Sequence, residues 1–461
     1  MKTLKNFGRL CALIVGVALQ QFTGNAGATS FGDMLARHEV RLAVEYDRTL
    51  YYSNHGAPYG LAVELASDLS VWLTQRHAAQ LGHRPLNVRI VAMPQGEILA
   101  ALTNDKADIA LGQMRFDRPV ADSSALFIQP SAILRKDVLV TGPKARNVAT
   151  TDQLAGMEIH AAFGSHLAST VARLNQKFES SGLGPMRLTT LPHELLDEDL
   201  LQMTNAGLIE AVIVPDWKAQ LWTRTLPNIK VHADIDFQAE GLFGWAVLQS
   251  NADLASELEV FVKNLIETDG MKKFRIDSFL ANTRTLKNPV GPLEWSRFER
   301  LKALFQKYGT QYHLDPLMMA ALGFQETTLD QQARGGGGSI GVMQLMPATG
   351  YAMRVGDITD VEANIHAAAK YMDELLRDNF PQANFTGINR TLFAIASYNA
   401  GPWAIASIRS KASAEGFDPD VWLGNVEIVA AKYLGVSVMT YVRNVYKYFV
   451  TYQLRLQPQL H

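Results

Sequence analysis

Apolar and polar positions along the chain change their period twice. Lys2, Lys5 and Arg9 lead into an apolar run from Leu10 to Leu19, closed by the small residues Ala26-Gly27-Ala28. From about residue 38, short apolar runs alternate with amphipathic stretches. Val40-Arg41-Leu42-Ala43-Val44, Val88 to Val91, Ile109-Ala110-Leu111 and Ala211-Val212-Ile213-Val214 predict strands, and Gly60 to Ala66 opens a helix. Strands separated by helices predict α/β units around a largely parallel sheet. Residues 282–293, with turn formers and little periodicity, form a linker. Beyond it the strand pattern disappears and capped helices take over.

Composition refines this picture at a few points. At 461 residues the chain has room for two or three domains. Residues 1–28 read as a secretory signal, since the apolar run is too short to span a bilayer. The only cysteine, Cys11, lies within that signal, so the remainder carries no disulfide. Losing three basic residues takes the formal charge from −2 to about −5. No basic tract is long enough to follow a nucleic acid, and no second long apolar run occurs downstream. An exported protein, soluble or peripherally attached, is expected.

The helical half carries the chemistry. Asp315-Pro316 reads as a helix start, an N-cap carboxylate followed by a residue whose missing N–H costs nothing there. Met319, Leu322 and Glu326 then share one stripe of that helix, the stripe a helix normally buries. A carboxyl there is poorly hydrated when charged, so it stays protonated nearer neutrality and can serve as a general acid. The competing reading pairs Glu326 with Arg334 as a helix-end brace. Asp330, Asp357 and Asp360 are the nearby carboxylates that a two-carboxylate mechanism would need, and Asp330 is expected to face solvent or cap a helix end. His313 and His366 have no metal-ligand spacing, and no metal or other cofactor is expected.

Four segments in order sharpen this: Gly323-Phe324-Gln325-Glu326-Thr327, Gly341-Val342-Met343-Gln344, Ala396-Ser397-Tyr398-Asn399-Ala400-Gly401 and Tyr441 to Tyr448. Together they resemble the lytic transglycosylases with a lysozyme-like fold, over roughly residues 294 to 455. The resemblance implies peptidoglycan as substrate, with Glu326 as the single acid and base. It also implies substrate contacts from Thr327, Ser339, Met343, Gln344, Tyr398, Asn399 and Tyr441. Thr327 stands where the family usually has serine. The run Gly335 to Gly338 is expected to leave its loop loosely ordered. Tyr398 is expected to hydrogen-bond the Glu326 carboxyl, or simply to pack with its hydroxyl in water. Tyr441 and Tyr448, seven apart on one helix face, are expected to line the cleft or pack in the core. An inactive lysozyme-like fusion acting as a sensor, or a hydrolytic muramidase, are the rival readings.

The first half resembles periplasmic solute-binding proteins of the amino-acid-binding branch. The segments that carry this are Tyr59 to Ala66, Gly164-Ser165, Gly207 to Val214 and Gly244-Trp245-Ala246-Val247. The resemblance implies a two-lobed fold whose cleft takes a small amino acid or cell-wall peptide. Arg118 (or Arg115) and Ser165 would hold the ligand's anionic group. The expected architecture is therefore a type II periplasmic-binding-protein-like α/β domain over residues 29–281, followed by a mostly α lysozyme-like domain over 294–461. Such a chain is expected in the periplasm, peripheral to the outer membrane, with the first module regulating the second.

Overall fold

A computed structural model describes residues 29–94, 96–114, 124–128, 133–134, 137–162, 167–237, 242–267 and 286–456. Residues 1–28, both candidate arginines Arg115 and Arg118, the Gly164-Ser165 pair and residues 281–285 lie outside the described residues.

The first lobe opens with α1 (Phe31–Arg37), β1 (Glu39–Glu45), β2 (Tyr52–Asn54), β3 (Ala57–Tyr59), α2 (Leu61–Arg76) and α3 (Ala78–Leu81). It continues through β4 (Asn87–Met93), α4 (Ile98–Thr103), β5 (Ile109–Met114), β6 (Ala125–Phe127) and β7 (Ile133–Leu134). The second lobe comprises β8 (Asp137–Thr141), β9 (Glu158–Ala162), α5 (Leu167–Ser180), β10 (Arg187–Leu191), α6 (Asp197–Asn205), β11 (Ala211–Pro215), α7 (Asp216–Trp222) and β12 (Lys230–Asp236). The chain then returns to the first lobe as β13 (Leu242–Leu248) and α8 (Ala252–Glu267).

Each lobe has its own sheet, in the order β4-β1-β5-β13-β6 in the first and β10-β9-β11-β8-β12 in the second. The expectation of largely parallel sheets holds for half of each. β1 runs parallel to β4 and β5, and β9 parallel to β10 and β11, while β13, β8 and β12 pair antiparallel. β13 is a late arrival from the other lobe, and a strand entering from the far end must run against its neighbours. The uninterrupted apolar run Ala211–Pro215 is buried at every position, because layers cover both faces of its sheet.

The helical half contains α9 (Pro292–Gln311), α10 (Pro316–Thr327), α11 (Pro347–Met353), α12 (Val361–Asn379), α13 (Asn389–Ala400), α14 (Pro402–Ala414), α15 (Glu427–Leu434) and α16 (Val436–Leu456). Asp315 caps α10 as expected, its side chain accepting from the amides of Leu317 and Met318, both at 2.9 Å. The expected single apolar stripe is corrected by burial: Met318 to Phe324 are all buried, so α10 is enclosed on every side. α9 and α16 pack along it, and the Asp315 amide at its start donates to the Thr391 hydroxyl of α13 at 3.1 Å.

The two halves share one core. Val138, Val140, Val212 and Val214 of the second sheet and Leu200, Leu201 and Met203 of α6 join an apolar cluster continuous with Phe324, Phe393 and Val442. Every residue of α6 is buried, including the three acids that begin it. Asp199 meets Arg443 at 2.5 Å and Lys447 at 3.1 Å, both on α16. Arg443 also binds Glu427 of α15 at 2.6 Å. Asp197 and Glu198 turn the other way, to Lys218 of α7 at 3.3 and 3.4 Å, and Lys218 reaches Asp47 of the first lobe at 3.1 Å. Glu198 also accepts from the Thr49 hydroxyl of the first lobe. α6 is therefore the junction of both lobes and the helical half.

Candidate active site

The site begins with how α10 ends. Thr328 and Leu329 follow it with φ of +57° and +62°, conformations that non-glycine residues adopt at a cost. Arg297 holds this turn, donating to the Thr328 carbonyl at 3.1 Å. The kink leaves Glu326 on the last turn of the helix, half-buried above an apolar body.

Against α10 lies the turn Gly341 to Gln344. The approach is close at Gly323, where a Cβ would come within 3.0 Å of Val342 and 3.1 Å of the Met343 sulfur. Thr327 fastens the contact, its hydroxyl donating to the Val342 carbonyl at 3.0 Å and accepting from the Asp330 amide at 3.1 Å. Its hydroxyl thus ties the end of α10 to that turn. The extra methyl relative to serine leaves that tie intact.

Gln344 itself has φ +49°, and its amide is held from both ends. The Ser339 hydroxyl donates to its Oε1 at 2.7 Å, and its Nε2 donates to the Gly341 carbonyl at 3.0 Å. Ser339 accordingly orients Gln344. Nor is the glycine-rich loop an open one. Gly335 N–H donates to the Ser339 carbonyl and Gly338 N–H to the Gly335 carbonyl, each at 3.0 Å. A Cβ on Gly335 would collide with the Ser339 hydroxyl and sit 2.7 Å from the Gln344 oxygen.

The tyrosines exchange their expected parts. Tyr398, at the end of α13, donates to the Met343 carbonyl at 2.7 Å rather than to Glu326. Met343 is fully buried, a wall of the site. It is Tyr441 on α16 whose hydroxyl donates to Glu326 Oε1. Tyr448, on the same face, packs edge-on to Phe324 with ring centroids 4.7 Å apart and accepts from the Lys287 amide. Asn399 is exposed beside Tyr398.

Burial raises the Glu326 pKa above the usual carboxylate range, and the Tyr441 hydrogen bond pulls it partway back. Burial and the same carboxylate keep both Tyr398 and Tyr441 protonated. Arg334 donates to the carbonyls of Gln331 and Ala333, so the helix-end brace with Glu326 does not form. The other carboxylates are occupied. Asp330 accepts from the Gln332 amide at 2.9 Å and pairs with Arg297 at 3.5 Å. Asp360 caps α12, and Asp357 accepts from the Thr359 amide.

Two residues escaped the sequence reading. Asn364 is fully buried and accepts from the Met343 amide while donating to the carbonyls of Ile340 and Ile358. Gln331 accepts from the Val342 amide. An asparagine on the apolar face of Ala363 to Ala369 was the available signal, because a buried amide there must be saturated by backbone.

A fold of two α/β lobes joined to a helical body, with the half-buried Glu326 carboxyl bonded to Tyr441, defines the class, and comparison agrees. Residues 303–421 match the family model described as the Transglycosylase SLT domain. The chain is similar to the "Membrane-bound lytic murein transglycosylase F" of Pseudomonas fluorescens, 27% identical over 80% of this chain and 71% of that protein. It is also similar to the protein of that name from Ectopseudomonas mendocina, 24% identical over 92% of this chain and 86% of that one. Among solved structures, an amino acid ABC transporter substrate-binding protein from Streptococcus pneumoniae bound to L-arginine aligns at 18% identity with a TM-score of 0.39, over 54% of this chain and 99% of that one.

Proposed function

We propose that this chain is a peptidoglycan lytic transglycosylase, cutting the β-1,4 bond between N-acetylmuramic acid and N-acetylglucosamine. The observation that carries the reading is Glu326, a half-buried carboxyl with a raised pKa whose hydrogen-bond partner is a phenol. Protonated Glu326 gives its proton to the glycosidic oxygen as the bond to the muramyl anomeric carbon breaks. The resulting carboxylate is steadied by the Tyr441 hydroxyl. It then takes the proton of the muramyl 6-hydroxyl while that oxygen bonds to the anomeric carbon, closing a 1,6-anhydro ring. The proton returns to Glu326 and no water is consumed. Role reversal by one group favours a pKa nearer the working pH, the direction in which burial moves Glu326 against the pull of Tyr441.

A hydrolase would need a second carboxylate to activate water. Asp330, Asp357 and Asp360 are engaged in turns and caps, which favours the one-carboxylate route. In the same reading Gln344, held by Ser339, meets the sugar acetamides and hydroxyls, and Asn399 lies on the rim.

The regulatory part of the reading places a small amino acid or muropeptide in the two-lobed module, held by Arg118 and Ser165, with residues 29–281 and 294–461 as the two domains. Its support is the shared junction, through which movement of either lobe would reach α16 and hence Tyr441. We further place the chain in the periplasm, peripheral to the outer membrane. No described helix is long and apolar enough to cross a membrane.

Digestion of purified peptidoglycan with the full chain and with Glu326→Gln, followed by mass spectrometry, tests the reaction. Anhydro-muropeptides from the unaltered protein alone are expected. A reducing muramic acid end would mean hydrolysis, and products from both proteins would remove Glu326 from the chemistry.

A further inference from the structure

Two aromatic side chains stand almost wholly in solvent, Tyr351 at 86% and Trp403 at 85% exposure. Trp403 is the second residue of α14, and Tyr351 lies on α11 seven residues after Gln344. Gly401, with φ +85°, turns the chain so that α14 starts where α13 stops, and Trp403 follows Tyr398 by five residues.

The helices that carry the two aromatics, α11 and α14, both pack on α12. Lys370 donates to the carbonyl of Met353, at the end of the helix that carries Tyr351, at 3.0 Å. Its neighbour Tyr371 packs edge-on against Tyr398, with ring centroids 5.8 Å apart. Tyr371 thus joins α12 to Tyr398, which in turn braces the wall of the Glu326 site through Met343. α11 packs inward through Gly350 and Met353, which leaves Tyr351 facing out. Neither ring contributes to the core, so their exposure gains the fold nothing.

We propose that Trp403, assisted by Tyr351, is a glycan-stacking residue that holds sugar rings of the strand beyond the bond being cut. Pyranose rings present a face of C–H groups that packs on an aromatic π face, and tryptophan offers the broadest one. Asn399, exposed between Tyr398 and Trp403, supplies an amide for the N-acetyl groups that such a strand carries on its sugars. This inference rests on the reading that the Glu326 site cleaves a glycan. It adds that grip on long strands comes from outside the catalytic cleft.

The test uses the full chain carrying Glu326→Gln, so that substrate is bound and not consumed. Its affinity for N-acetylglucosamine oligomers of increasing length and for soluble peptidoglycan strands is measured by calorimetry, with and without Trp403→Ala or Trp403→Phe. Loss of about three- to tenfold on the longer ligands is expected for alanine, with little change on the shortest and recovery by phenylalanine. In the active protein Trp403→Ala should raise KM on long strands and leave kcat unchanged. Cleavage by the unaltered protein together with equal affinities for all forms overturns the stacking proposal alone. Absence of both cleavage and glycan binding in the unaltered protein overturns it together with the reading beneath it. Vesicle binding that depends on Trp403, with unchanged glycan affinity, would make the pair a membrane anchor and likewise overturn the proposal.

Discussion

Tyr441 donates its hydroxyl proton to Glu326 across a sequence separation of 115 residues, from a helix whose next turn is tied into the two-lobed half. That hydrogen bond favours the ionised carboxylate, while burial favours the neutral one. Tyr441→Phe should therefore raise the Glu326 pKa further. The acid must be protonated to start the reaction, so the basic limb of the kcat/KM profile should move to higher pH. The rate should fall about tenfold or more, the worth of one hydrogen bond to a charged group. A profile unmoved by the substitution would show that Tyr441 does not tune Glu326.

Glu326→Gln should abolish detectable cleavage, with a loss of at least about 100-fold. It should also stabilise the protein at neutral pH. A carboxyl whose folded pKa is raised contributes stability below its unfolded pKa and loses it as pH rises through the folded one. The thermal midpoints of the two proteins should thus coincide in acid and separate toward neutrality, the variant being higher. A variant less stable at neutral pH would contradict the burial argument.

Gly335→Ala should disable the site without unfolding the chain. The added methyl meets the Ser339 hydroxyl and Gln344 Oε1, so the bond between them must break. An increase in KM with an unaltered thermal midpoint is expected. Normal kinetics would mean that the orientation of Gln344 does not matter.

The junction at α6 should be sensitive to both substitution and acid. Arg443→Met leaves Asp199 and Glu427 short of their buried counter-charge, a loss of about 3–5 kcal/mol measurable by urea unfolding. Desolvation works against the Asp199 charge, but Lys447 and Arg443 overcome it and hold the pKa down at about 2. Stability from this carboxylate should be present above its ordinary value of 3.8 and be lost as pH falls toward 2. Asp199→Asn should flatten that acid limb. Lys447 pulls the other way, since burial outweighs Asp199 and lowers its pKa.

Glu198 gives the opposite slope. Burial and the Asp47 charge push it up to about 7, against the pull of Lys218. Stability from Glu198 should fall between its ordinary 4.5 and about 7, then level off. Glu198→Gln should remove that slope and match or exceed the unaltered protein at pH above 7 by roughly 1–3 kcal/mol. Strong destabilisation throughout would instead mark the charge as required.

What the sequence could reveal depended on the range of each interaction. The cap at Asp315, the strands around Val40 and Ala211 and the special position of Glu326 are local, and a window of a few residues contains their causes. The exchange of Tyr398 for Tyr441 as partner of the carboxyl was not legible, because it turns on how α13 and α10 each pack against α16. Nothing in Asp197-Glu198-Asp199 as a stretch of sequence sets it apart from an ordinary acidic first turn of a helix. Their partners Lys218, Arg443 and Lys447 come from elements that sequence cannot bring together.

The burial of α6 has a consequence for how the chain reaches its structure. Asp199 finds Arg443 over a separation of 244 residues, while Glu198 finds Thr49 over 149. A chain emerging from its amino end would complete both sheets before α16 exists, with Asp199 set in a forming core and its cations still unmade. Closing contacts at such separations is slow. The second lobe should therefore acquire its final packing late, in one cooperative step with the helical half, and a chain stopped before α16 should remain an aggregation-prone intermediate.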